Sequence, residues 1–142
     1  MNASSEWVQR VVRAGSLLAV TLLFGVLWGI AGADKIKSGI PSWFGDKFGK
    51  TFLATFPGLS ATFWLLTVGE VLGFLLAVGS LLRLEFLGKR SPDWLLLMLV
   101  WSLFLFVQLG LGQWLTSEYN GAFMIFTYFC GTLVALRQVA KP

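Results

Sequence analysis

The sequence predicts an all-α membrane protein: a four-transmembrane-helix, up-down bundle with an interfacial amphipathic segment between spans 1 and 2. Three observations carry this. Of 142 residues, 56% are hydrophobic and only 13% are charged, against roughly 25% charged in an average soluble domain. Mean hydropathy is +0.77. The apolar residues also gather in four long runs, with almost every charge between or beyond them. A soluble globule of this size could not cover so much apolar surface with so few charges. Disorder fails on the same composition.

Span 1 is expected over about 14–33, where no residue is charged. A spanning helix needs roughly 20 mostly apolar residues to cross about 30 Å of hydrocarbon. Arg10 and Arg13 before it and Ala31-Gly32-Ala33 at its end give it the outline of a cleaved leader. Its apolar run is too long for a leader core of ~7–15 residues, so a retained span is expected. Span 2 covers about 59–82 and is apolar except for Glu70. Span 3 covers about 94–117 and follows Pro92, a good helix-start residue. Span 4 covers about 119–136 and is completed by snorkelling of Arg137. The four spans form one domain, 1–142. Short links between spans 2 and 3 and between spans 3 and 4 make these neighbours antiparallel.

Lysine and arginine set the expected orientation. Arg10, Arg13, Arg83, Lys89, Arg90, Arg137 and Lys141 fall on one side, and Lys35, Lys37, Lys47 and Lys50 on the other. Both termini are therefore expected in the cytoplasm. Asn2-Ala3-Ser4 matches a glycosylation sequon but falls on that same side. The net charge of +4 reads as topology and attraction to anionic lipid, with no call for nucleic acid.

The link between spans 1 and 2 is the long one. Phe44, Phe48, Phe52 and Phe56 recur every four residues, a slowly turning stripe on a helix. Trp43 stands where an interfacial anchor would, and Pro57-Gly58 ends the segment. An amphipathic helix lying in the outer interface over about 42–56 is expected, weakened by Gly45 and Gly49. It either caps the bundle or serves as a lid or docking surface.

Within the spans, Gly25-Val-Leu-Trp-Gly29 and Gly69-Glu-Val-Leu-Gly73 are both G-x-x-x-G, a spacing that lets helix backbones approach. Packing of spans 1 and 2 against each other is the favoured use. Trp7, Trp43, Trp94 and Trp114 lie near span ends as an aromatic belt would, whereas Trp28, Trp64 and Trp101 lie inside. Cys130, alone in an apolar span, is read as packing. With no histidine and one cysteine, an internal disulfide, a His-ligated haem or zinc and a Ser-His-Asp triad are all excluded. No metal site is expected.

Glu70 is the one charge that no span end, loop or tail accounts for. It lies about 15 Å into span 2, near the midplane. A carboxylate there costs on the order of 3 kcal/mol on insertion scales and does not face lipid. Ser102, Gln108, Thr127, Tyr128 and Cys130 lie at comparable depth. Lys35, at the outer end of span 1, is placed so that direct contact strains its reach. Glu70 either locks the bundle or transfers protons or binds ligand.

Trp28-Gly-Ile-Ala-Gly-Ala-Asp-Lys-Ile36 contains an AG-x-x-K pattern, Gly69-Glu70-Val-Leu-Gly73 places a glutamate in span 2, and Gly79 is followed by Arg83. Together these resemble the DoxX family. The resemblance covers the span 1 to span 2 half, and the rest by hydropathy. It implies a four-helix bundle in a prokaryotic plasma (inner) membrane. Relatives include subunits of thiosulfate:quinone oxidoreductase, a component of a thiol- and superoxide-handling membrane complex, and a maturation protein for methylamine use. Lys35 and Glu70 are the positions that carry over.

Two functions compete. One is a small membrane subunit of a quinone-linked redox or thiol-handling system, in which Glu70 exchanges protons and Trp28, Trp64 and Tyr128 line the quinone site. The chain carries no flavin, haem or iron–sulfur motif, so a quinone or a partner brings the electrons. The other is a non-catalytic accessory or assembly subunit of a larger membrane complex, docking through aromatic faces and the Phe-rich segment.

Overall fold

The computed structural model describes residues 3–141, and side chains from residue 5. The Asn2 sequon lies outside the described residues. The fold is helical: α1 (Ala3–Ser38), α2 (Ser42–Phe48), α3 (Leu59–Leu82), α4 (Asp93–Leu115) and α5 (Tyr119–Val139), with single 3-10 turns at Phe52–Ala54 and Glu85–Leu87. Long, apolar α1, α3, α4 and α5 are the four spans of a multi-pass membrane protein. They alternate in direction, so α2 and the α4–α5 turn share one end, termed the lid end, and the chain termini share the other. The expected boundaries shift at four ends. Helix α1 runs past both ends of 14–33, α4 stops at Leu115 because Ser117 is left-handed (φ 56°), and α5 continues to Val139.

The polarity is arranged as a bilayer requires. Leu65, Val68, Phe104, Val107, Phe123 and Phe126 are exposed on the outside, whereas Thr21, Thr67, Ser80, Ser102 and Thr132 are buried. The hydroxyls of Thr21, Thr67, Ser102 and Thr132 each donate to the carbonyl four residues back, at 2.8 Å. Small polar groups thus pack between helices without an unmet hydrogen bond.

Glycines bring α1 and α3 together. A Cβ on Gly25 would lie 3.3 Å from that of Ala77, one on Gly29 2.8 Å from the Phe74 ring, and one on Gly32 3.1 Å from Val71. From the other side, Gly73 leaves room for the Trp28 indole, 2.8 Å from where a Cβ would stand. Both G-x-x-x-G motifs are therefore used inside the chain. Gly79 makes the same allowance for Trp94 of α4. Leu17, Phe24, Trp28, Ala77, Leu95, Met98, Leu99 and Phe106 form the main core.

The α3–α4 link holds a carboxylate that the sequence reading set among ordinary loop charges. Left-handed Leu84 (φ 53°) and Gly88 (φ 71°) curl the chain so that Glu85 is fully buried. Its Oε1 accepts from the Trp94 N–H at 3.1 Å and its Oε2 from the Leu95 N–H at 3.0 Å. Glu85 thus caps α4 from outside the helix, satisfying free N–H groups where Pro92, at the N-cap position, offers no side chain to do so.

Candidate functional site

The site is built where α1 ends early. Gly25 lies opposite Ala77 and Gly32 opposite Val71. At this register the last residue of α1, Ser38, comes level with Leu65, leaving about 9 Å of α3 above it. The step this creates at the lid end is roofed by α2.

Lys35, one turn below the end of α1, reaches inward to Glu70. Its Nζ donates to Glu70 Oε1 at 2.9 Å and to Oε2 at 3.0 Å. The contact judged a strain from the sequence is thus made with good geometry, because α1 stays helical to Ser38 and sits low against α3. The Glu70 side chain is 2% exposed and that of Lys35 26%. The carboxylate is sealed between α1 and α3 while the ammonium keeps an open side. Charges removed from water are tolerated only when paired and hydrogen-bonded, and both carboxylate oxygens meet that condition.

The open side of Lys35 faces a cavity of about 610 Å³. Its walls come from α1 (Ala31, Asp34, Ser38), α3 (Thr62, Phe63, Leu65, Leu66) and α4 (Gln108, Leu109, Gly112, Gln113), and its roof from Trp43, Phe44, Lys47, Phe48 and Leu53. A volume of this size is typical of small-molecule sites, as are apolar walls with few polar groups.

The roof corrects the expected stripe. Helix α2 ends at Phe48, Gly49 and Lys50 turn the chain, and a separate 3-10 turn follows. Phe44 and Phe48 are buried, with rings 4.7 Å apart, and Phe44 meets Phe63 edge-on at 5.4 Å. Phe52 and Phe56 point away and are exposed. Two of the four phenylalanines therefore hold the lid down, with Leu53, Leu59 and Leu115 around them. Lys47 Nζ adds a contact to Glu118 Oε1 at 3.9 Å, tying the lid to the α4–α5 turn. Such a half-exposed pair contributes under about 1 kcal/mol, so the aromatic packing is the main fastening.

The three aromatics expected to line a quinone site are not brought together. Trp28 is 1% exposed. Its Nε1–H donates to Ser102 Oγ at 2.8 Å, and its ring lies 5.3 Å from Phe106, so it is a core residue. Tyr128 lies on α5, half-exposed, with its ring 6.0 Å from Phe106. Trp64 faces outward on the α3–α4 seam, beside Trp101. Neither Trp28 nor Tyr128 touches the cavity under the lid, nor does Trp64. The aromatic walls there are instead Trp43, Phe44, Phe48 and Phe63. Counting depth within one span at a time aligned residues by level but could not tell which way each faced. Of the polar residues matched to Glu70 by depth, Ser102 belongs to Trp28, Thr127 bonds back to the Phe123 carbonyl at 3.0 Å, and Gln108 reaches the cavity.

Compared with known proteins by sequence and by fold, the chain matches no family model, no curated protein and no solved structure.

Proposed function

We propose that this protein is a DoxX-like membrane subunit of a quinone-linked redox or thiol-handling system, and that the cavity under α2 receives the quinone head. One observation carries the reading: an ammonium group already neutralised by a sealed carboxylate faces an aromatic-walled cavity. Such a site favours a flat, uncharged molecule with acceptor oxygens. An anion would compete with Glu70 for Lys35, and a cation would meet the Lys35 and Lys47 ammonium groups against the single lining carboxylate of Asp34. A quinone, when bound, supplies two-electron chemistry coupled to protons. The chain's own contribution is positional. Lys35 Nζ donates a hydrogen bond to an oxygen in the cavity, and Glu70 Oε1 and Oε2 hold that ammonium in place and are the proton-accepting atoms behind it. Phe44, Phe48 and Phe63 stack around a ring and exclude water.

In this reading the membrane is a prokaryotic plasma membrane with both termini cytoplasmic, supported by the lysine and arginine distribution. The lid end then faces outward. The second reading, an accessory subunit without a ligand of its own, draws support from the Lys35–Glu70 pair being a self-sufficient lock between α1 and α3.

The two readings part on purification. Protein isolated in mild detergent and extracted with organic solvent is expected to release a quinone in near-equimolar amount, identified by mass spectrometry. Glu70→Gln, which keeps an acceptor for Lys35, is expected to fold while losing quinone-dependent activity in membranes. No quinone in the extract, together with full activity of the variant, selects the accessory role.

A further inference from the structure

A second concavity lies on the membrane-facing side, along the seam of α3 and α4. Its α3 wall is a single helical stripe from Ala61 to Leu72, about 16 Å long at 1.5 Å per residue. Its α4 wall runs from Trp101 to Gln108. Gly69 forms its floor, and its backbone carbonyl accepts from the Trp101 Nε1–H at 2.8 Å. The groove is therefore apolar except at one point, Gln108. Gln108 and Leu65 also line the cavity under the lid. The two concavities adjoin at these two shared side chains.

We propose that ligand enters sideways from the bilayer between α3 and α4, and that the groove holds the ligand's isoprenoid or alkyl tail while its head lies beside Lys35. This rests on the ligand site proposed above and specifies its route and substrate class: an amphiphile with a neutral polar head and a chain. The polarity along the path matches such a molecule, from the Lys35 ammonium through the Gln108 amide to a wall of Trp64, Val68, Leu72 and Phe104. Lipid tails are as apolar as the groove, so the chain is held there by close van der Waals fit rather than by expulsion from water. A lipid-dissolved head then reaches the cavity without crossing the aromatic lid.

The test uses the full-length protein in lipid nanodiscs and a benzoquinone whose decyl tail carries a photoreactive diazirine at mid-chain. Labelled peptides mapped by mass spectrometry are expected to come from the α3 and α4 stretches that line the groove. Tail-less duroquinone in excess is expected to abolish the labelling. Leu72→Trp, which fills the groove from its lipid-facing side, is expected to weaken binding of the tailed quinone at least tenfold and to leave duroquinone binding unchanged. Duroquinone-sensitive labelling on α1 or α5 instead, with no effect of Leu72→Trp, overturns the lateral route while leaving the head site standing. Absence of binding by both quinones overturns the head site and the route together.

Discussion

Glu85 and Glu70 are both carboxylates taken out of water, and they are satisfied by different means. Glu85 receives two backbone N–H groups at the start of α4, while Glu70 receives one ammonium through both oxygens. Truncating Glu85 leaves two donors unpaired in a dry place, and hydrogen bonds to a charged group contribute about 1.5–3 kcal/mol each. Glu85→Ala is therefore expected to destabilise by at least about 2 kcal/mol, whereas Glu6→Ala, on the exposed first turn of α1, changes stability by under about 0.5 kcal/mol. Thermal unfolding in detergent, followed by circular dichroism, compares them. Equal melting temperatures would remove Glu85 from the account. Glu70 was legible in the sequence because one charge inside an apolar run has no innocent placement. Glu85 was not, because a carboxylate in a polar link looks solvated, and only the paired left-handed residues around it turn it inward.

At the scale of elements, the spans were readable because each run meets the length and apolarity that a bilayer imposes. The lid was only half readable. A four-residue repeat of phenylalanine resembles one helical face, but the helix ends at Phe48 and the chain becomes extended at Thr51 (ψ 167°), which splits the stripe into a buried pair and an exposed pair. The consequence is testable. Phe48→Ala removes a ring that packs on Phe44 and lines the cavity, and Phe→Ala in a packed site costs about 3–5 kcal/mol. Because that loss falls on a short segment, local opening of the lid rises before the bundle unfolds. Trypsin cleavage after Lys47 or Lys50 is expected to quicken at least tenfold in Phe48→Ala, and to stay at the native rate in Phe56→Ala, whose ring is 77% exposed. Equal cleavage in both variants would return the segment to a uniform stripe.

For the molecule as a whole, the decisive feature is a difference in level. Glycine-mediated packing fixes α1 low against α3, so Lys35 lies within reach of Glu70 and a step is left for α2 to roof. None of these three facts is visible in a single span. They depend on the α1–α3 register, which the glycines set but which a hydropathy reading does not supply. The same arrangement makes Lys35–Glu70 a lock between two spans and leaves the open side of the Lys35 ammonium on the cavity. Removing Lys35 leaves the sealed Glu70 carboxylate uncompensated, at a cost of about 3–5 kcal/mol, whereas replacing both with apolar residues of similar size is often close to neutral. The variant Lys35→Met/Glu70→Met is therefore expected to fold, which separates the lock from the ligand site. Equilibrium binding of decyl-tailed benzoquinone to this double variant and to the native protein, both in nanodiscs, puts the question most directly. A charge-assisted hydrogen bond from Lys35 corresponds to a loss of affinity of about tenfold or more. Unchanged affinity in a folded double variant would contradict the assignment of the Lys35–Glu70 pair as the ligand site.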